Sequence, residues 1–521
     1  MLWCLQKYSS DAFHHSINNY FQNMLYLQCY PKKISHTLGR SSNLDNNQKY
    51  GGTWKLFDDE SIYQGELHID YEKRIIALEL ILPASEHKPM PRAPYKGKIP
   101  FICGTLFSGA KILLYDCQTR QEHTNLFQFT QQVIYANYAF WGLSATSIDD
   151  IKFPKAIVDF GNIIAWSGLC KYEWEFNEKG GSDLLWSHEP PIEVELRDNL
   201  HITFYPSQGT IGGDMLGTKI TVNQHIKVEF QYNQPVPWET VLEDVLNIQY
   251  LIGIGVNQKV EIDSIEYCHD SIFFELPVST DEVAKHYRPA SMIIGVGESH
   301  RIKTNKAYEY LYTLPQIINN NAFNKWCENY HVLKPVLDLY FTASSGIATT
   351  SEILFLNLTQ ALETYHARLI TNNAKTYPDR VAKLVNSFCS DGRNTQQWID
   401  YLLDKNQKKN QKKIHLRSRL ADLTFANGVL PFWPEHKLPN EYIRKVVDTR
   451  NYYTHYDPDK LDKAFTKEQL PWVNGHLMAL LEYHLLVLLG FDSNEVRTKT
   501  VQKINRIDDS YAIQSGTHRI E

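Results

Sequence analysis

The sequence predicts an α+β, multidomain fold, a β-rich N-terminal domain followed by an all-α helical bundle, on three observations. The 521 residues exceed the size at which one hydrophobic core keeps growing. A composition of 43% hydrophobic and 21% charged residues, with 31 Tyr and 11 Trp, is that of a folded chain rich in sheet or stacking surface. The apolar period changes near residue 305 from strand-like to helical, and it stays helical.

Residues 1–50 are polar and irregular and end in GRSSNLDNNQKYGG, as expected of an N-terminal extension. The β-rich domain is expected over 51–304. Its strands are KRIIALELIL (73–82), KILLYD (111–116), IEVEL (192–196), HITFY (201–205) and KITVNQHIKVEFQY (219–232), β-branched and aromatic runs set between turn residues. One helix interrupts them from Trp238 to about 252, where Val241, Leu242, Val245 and Leu246 recur at helical spacing. GTIGGDMLGTK (209–219) has phosphate-loop glycine spacing, but its Lys follows the Thr and strands flank it, so it reads as a hairpin turn.

The helical domain is expected over 305–495, with a C-terminal tail over 496–521. Thr349 and Glu352 have capping-box spacing and open a helix whose Leu358, Leu362, Tyr365 and Leu369 share one face. Further helices are expected at about 378–389, 395–405, 414–425, 440–456 and 472–490. The last contains LMALLEYHLLVLLGF, which is too short and too interrupted by Glu482 and His484 to span a bilayer, so it reads as a core helix.

Charge and cysteine usage narrow the function classes. A net charge of −6 gives no whole-protein basic footprint, so a nucleic-acid contact would have to be local. The eight cysteines are scattered and form no CxxC, which suggests reduced thiols without a metal site. The N-terminus lacks a basic region followed by an apolar run. A cytoplasmic protein with no membrane contact, no cofactor and no metal is the expectation.

Chemistry concentrates in LPNEYIRKVVDTRNYYTHYDP. Asn440 is placed to start a helix, and Asp457-Pro458 to stop it. Ile443 and Val447 lie on the i, i+4 line of Asn451 and His455, and Val446 leads to Arg450. An apolar stripe thus turns polar where the helix leaves the core. Spacing alone is weak: with 20 His in 521 residues, a given Arg has about a 4% chance of a His five positions later, so accidental matches are expected.

RNYYTH resembles the Arg-polar-three-any-His signature of the HEPN family, with Asn451 in the polar position. FLNLTQALETYHARL (355–369) is similar to the opening helix of the ApeA-type HEPN group, and the strand-rich region from GTWKLFDDESIYQGEL resembles the ApeA N-terminal domain. The resemblance implies an all-α HEPN bundle acting as a metal-independent endoribonuclease in anti-phage defence by abortive infection, under control of the N-terminal domain. It implies His455 as general base or acid, Arg450 as phosphate and transition-state stabiliser, and Asn451 as orienting residue. The implied partners are RNA, with tRNA among the candidates, a phage-derived trigger that is protein or nucleic acid, and a second copy in a homodimer or higher homo-oligomer. The alternative is a non-catalytic HEPN module that binds a nucleotide, RNA or a partner.

Two secondary candidates remain. Glu363, the acid within LTQALETYHARL, is a candidate partner for Arg450 or His455, or equally for Arg368. In KNQKKNQKKIHLRSRL (405–420), Lys408, Lys409, Lys412, Lys413 and Arg417 are candidate RNA-backbone contacts, against the plainer reading of a solvated lysine loop.

Overall fold

A computed structural model of the chain describes residues 47–83, 98–125, 129–161, 163–176, 182–213, 220–277, 283–295, 309–344, 350–388, 392–403, 407, 412–425 and 440–515. The chain divides into two compact units, 1–252 with 260–307, and 253–259 with 308–521. Residues 253–259 group with the helical unit.

The first unit is an antiparallel sheet of twelve strands. Six of them close on themselves: β1 (Asn47–Leu56), β2 (Ile62–Asp70), β3 (Ile75–Pro83), β4 (Lys98–Leu106), β5 (Lys111–Asn125) and β6 (Phe129–Trp141). They pair in the order β6-β3-β2-β1-β4-β5, and β5 returns to β6 to complete a barrel. Inward positions alternate along each strand, and Trp54, Leu67, Ile69, Leu78, Leu80, Ile102, Leu114 and Ile134 fill the interior. Trp54 needs a glycine opposite it: a Cβ on Gly104 would fall 2.2 Å from the indole ring.

β6 also carries the sheet onward. One of its edges meets β3 over residues 129–135 and β16 (Ala290–Ile294) over 138–140. Beyond β16 the order runs β13 (Ile262–Cys268), β7 (Lys152–Phe160), β12 (Ile220–Pro237), β11 (Leu200–Gly213) and β10 (Ile192–Arg197). Two separate hairpins, β8 (Cys170–Phe176) with β9 (Ser182–His188) and β14 (Phe273–Pro277) with β15 (Val283–Tyr287), complete the unit. Of the glycine-rich stretch, residues 209–213 lie in β11, where Gly213 pairs with Ile220 of β12, and residues 214–219, where the hairpin turn is expected, lie outside the described residues. Helix α1 (Trp238–Gly255) seats Trp238 among Phe140 and Phe153, with centroids at 5.3 and 6.0 Å.

The second unit is helical: α2 (Leu314–Asn319), α3 (Ala322–Ser344), α4 (Ser351–Tyr365), α5 (Tyr377–Phe388), α6 (Gly392–Leu402), α7 (Leu416–Phe425), α8 (Asn440–His455), α9 (Leu470–Leu488) and α10 (Ser493–Ser515). α4 packs against α3, α7, α8 and α9, so it is the common wall of the bundle. Thr350 caps α4 by accepting from the Ile353 N–H at 3.4 Å, one residue after the expected Thr349, which lies outside the described residues.

α9 is buried nearly all round, and its two polar interruptions are satisfied. Glu482 accepts from Lys503 Nζ at 2.8 and 2.6 Å, and one His484 ring nitrogen meets the Leu423 carbonyl at 2.9 Å. Among the described residues no helix is long and apolar enough to cross a membrane. Residues expected as a tail from 496 instead lie in α10, where Val496, Thr500 and Ile504 form a narrow buried stripe. That stripe is too sparse in apolar residues for periodicity alone to reveal.

Candidate active site

α8 leaves the bundle by degrees. Ile443, Val446, Thr449 and Tyr453 are buried along one line, while Val447 and Asn451 are partly covered and His455 is exposed. Arg450 is likewise partly covered. On an α-helix, residues five apart point about 140° away from each other around the axis, so Arg450 and His455 do not face one spot by backbone placement alone. Asn451 lies between them, on His455's line. Arg450 Nη1 meets Asn451 Oδ1 at 3.5 Å, a long contact between adjacent residues. The three motif residues share the last turns of one helix.

The chain beyond His455 is fastened back onto α8. Tyr456 adopts φ +50°, and its N–H donates to the Tyr452 carbonyl at 2.5 Å, ending the helix in a left-handed turn. The Asp457 carboxylate accepts from the Asp459 N–H at 3.1 Å and caps the 3-10 segment Pro458–Lys463, so Asp457-Pro458 does stop the helix. Three contacts then return to α8. Thr449 Oγ1 donates to the Lys445 carbonyl at 2.7 Å and accepts from the Phe465 N–H at 2.8 Å. Lys445 Nζ lies 4.7 Å from the Phe465 ring centroid, and Lys460 pairs with Asp448 at 3.2 Å.

Glu363 stands near the end of α4, eleven residues or about 16 Å along the axis from Glu352. Burial lowers the Arg419 guanidinium of α7, and the charge of Glu363 opposes that. The Tyr453 phenol, inside the motif, is pushed up by burial and then by Glu352 at the start of α4.

The basic run is divided. Lys408 and Lys409 lie outside the described residues, and Lys412 and Lys413 are exposed. Arg417 turns inward, donating to the Tyr401 carbonyl and lying 5.4 Å from the Tyr401 ring centroid. Arg419 is buried altogether, so the spread of positive charge read from the sequence is narrower on the surface.

Arg419 belongs to a buried polar cluster that spacing did not reveal. It donates to His366 Nδ1 at 3.0 Å, to the Thr371 carbonyl at 3.2 Å and to Asn372 Oδ1 at 2.7 Å. An arginine has no acceptor, so His366 Nδ1 must accept and its Nε2–H must donate to Asp422 Oδ2, at 2.9 Å. Burial, and then the nearby arginines, hold the imidazole below its ordinary range against the pull of Asp422. Burial works against the Asp422 carboxylate as well, but His366 and Arg380 outweigh it and keep it below the usual range. The cluster lies where α4 widens into a π-helical stretch, His366–Ile370. Its members come from three helices with long sequence separations, which is why no local motif announces them.

Elsewhere in this unit a cavity of about 350 Å³ is lined by Trp472, Lys503, Arg506, Ser510, Tyr511 and neighbours, with Trp472 stacked on Tyr511 at 5.5 Å. Among the described residues no group of three or more His, Cys, Asp or Glu converges in a way that could hold a metal.

Residues 49–326 match the family model described as ApeA N-terminal domain 1, and residues 356–495 match the one described as Apea-like HEPN. The second match spans α4 to the start of α10 and contains Arg450, Asn451 and His455. Comparison with curated proteins and with solved structures gave no match.

Proposed function

Because this chain belongs to the ApeA family, joining an ApeA N-terminal domain to an Apea-like HEPN domain of the nuclease type found in anti-phage defence, we propose that it is an endoribonuclease that works without a metal. The observation that carries this reading is the contact of the Arg450 guanidinium with Asn451, at the exposed helix end that bears His455.

The imidazole of His455 offers a ring nitrogen that can take the proton from a ribose 2′-hydroxyl. The 2′-oxygen then attacks the adjacent phosphorus and the bond to the 5′-oxygen breaks. A proton delivered to that oxygen completes the step, giving a 2′,3′-cyclic phosphate and a free 5′-hydroxyl. Arg450 offers a planar, permanently charged fork to the phosphorane oxygens, where negative charge grows. Asn451 orients the fork.

DNA lacks the attacking hydroxyl and is excluded as a substrate by chemistry. A homodimer with two motifs facing each other is part of the proposal, the second copy supplying the acid. So is a β-rich unit that restrains the nuclease until a phage-derived trigger arrives.

The test is to incubate the purified full chain with end-labelled RNA in EDTA, with and without lysate from phage-infected cells, and to analyse the ends. Cyclic-phosphate ends that disappear in His455→Ala and Arg450→Ala are expected. RNA bound but left intact in both conditions would favour a non-catalytic binding module, and cleavage that EDTA abolishes would overturn metal independence.

A further inference from the structure

The residue after His455 is the least expected in the turn. Tyr456 holds φ +50°, a conformation that favours glycine at this position after a helix and that large side chains rarely adopt. Its ring is nevertheless 68% exposed. The backbone bond to the Tyr452 carbonyl would form equally well with glycine, so the turn itself does not call for a tyrosine.

The ring is held in place from beneath. Tyr452 and Tyr453 meet it at centroid distances of 5.8 and 6.3 Å, both at steep angles, and they pack on each other at 4.9 Å. Tyr453 is buried, so this small cluster of edge-on rings is anchored in the bundle. The exposed chain neighbours of Tyr456 are Thr454, His455, Pro458 and Asp459, and Leu461 in the following 3-10 segment is also exposed. An aromatic ring with one leucine in its segment lacks the contiguous apolar area of a protein-docking face. It suits a single planar partner, and beside a phosphate-binding Arg and a His that partner is a nucleobase.

We infer that Tyr456 is a positioning residue that stacks on an unpaired base beside the scissile phosphate, and hence that the substrate presents a single-stranded or looped segment there. This rests on the ribonuclease reading. A duplex would not serve, because its bases are already stacked on each other.

The test uses the full chain with His455→Ala, so that RNA is bound and not cut, and RNA hairpins carrying 2-aminopurine at each loop position in turn. Binding should change the fluorescence of one position. Adding Tyr456→Phe should preserve both the signal and the affinity. Adding Tyr456→Gly should abolish the signal and weaken binding by roughly 5- to 150-fold, the usual range for loss of one aromatic–base stack. The melting temperature should be no lower, because glycine suits the left-handed turn.

Equal affinity of the Gly and Phe variants would overturn the inference, as would RNA binding by none of the forms. If the chain with His455 intact cuts RNA and Tyr456→Gly leaves its KM unchanged, stacking fails while the nuclease reading stands. If binding depends on Tyr456 but His455-containing protein never cuts, the nuclease reading fails and stacking stands. A change in sedimentation of the RNA-free protein on Tyr456→Gly would mean that a second copy covers the ring, which also overturns the inference.

Discussion

The role proposed for Arg450 asks its side chain to act away from where its backbone points. Its guanidinium meets Asn451 Oδ1 at 3.5 Å, and a long side chain ending in a planar fork suits that role. Arg450→Lys keeps the charge but loses the fork, so cleavage should fall by about 10²-fold or more, read as initial rate on a saturating RNA. His455→Ala should cost about 10²- to 10⁴-fold, the range for a lost general base. Equal activity of the Lys variant and the parent would remove the fork from the mechanism. At this scale helical period places Arg450, Asn451 and His455 at the end of α8 without coordinates, while the roles proposed for them rest on the family resemblance. The sequence could not announce Tyr456, whose exposure depends on a backbone angle, nor the inward turn of Arg417 onto Tyr401, which depends on a neighbour sixteen positions away.

Helices meet the solvent or the core according to what their polar residues find opposite them. α9 was legible as a core helix from its leucines, but what lets Glu482 and His484 stay inside it was not. Their partners, Lys503 and the Leu423 carbonyl, lie on other helices. Removing the Lys503 amine leaves a carboxylate that is 3% exposed without its cation. Lys503→Ala should therefore destabilise the helical unit by up to about 3 kcal/mol in a denaturant titration, whereas Lys499→Ala, whose partner Glu495 is exposed, should cost well under 1 kcal/mol. A second element-level test concerns the fastening behind the motif. Thr449→Val strands the buried Phe465 N–H and should cost about 1–3 kcal/mol, with faster hydrogen exchange confined to residues 456–466. Unchanged exchange there would show that Thr449 does not hold the segment.

His484 in the helical unit and Asp244 and Asp159 in the β-rich unit respond to acid in opposite ways. Burial pushes His484 down to about 4, against 6.5 in an unfolded chain, so the unfolded helical unit binds the extra proton. Its contribution, roughly 3 kcal/mol, is whole above pH 6.5 and is lost as pH falls toward 4. In the β-rich unit burial raises Asp244 to about 6, although Arg197 and the Tyr232 hydroxyl both meet it. Burial raises Asp159 too, against the pull of His225. Asp244 favours folding most below the ordinary carboxylate range, an advantage that disappears as pH rises through 6, and Asp159 acts in the same direction. Hydrogen exchange at pH 7.5 and pH 5, corrected for intrinsic rates, should show the helical unit losing protection while the β-rich unit keeps or gains it. His484→Gln should flatten the first trend. A parallel loss in both units would contradict the assignment. The division into a sheet unit and a helical unit was readable from the change of period near 305, since period reports secondary structure directly. Closure of the barrel was not, because it depends on which edge of β6 meets β3, β5 and β16.

That closure has a consequence for life in a crowded cell. Eleven of the twelve strands in the large sheet are paired on both sides, and β10 ends the order with one free edge among the described residues. Its exposed positions are Glu193, Glu195 and Arg197, and its register shifts between Glu195 and Arg197. Charges and an irregularity on a lone edge discourage a strand from another molecule from adding to it. Such an edge keeps the folded chain from templating its own precipitation. Glu193→Val with Glu195→Val should leave the fold intact and make concentrated solutions turbid and thioflavin-positive on standing.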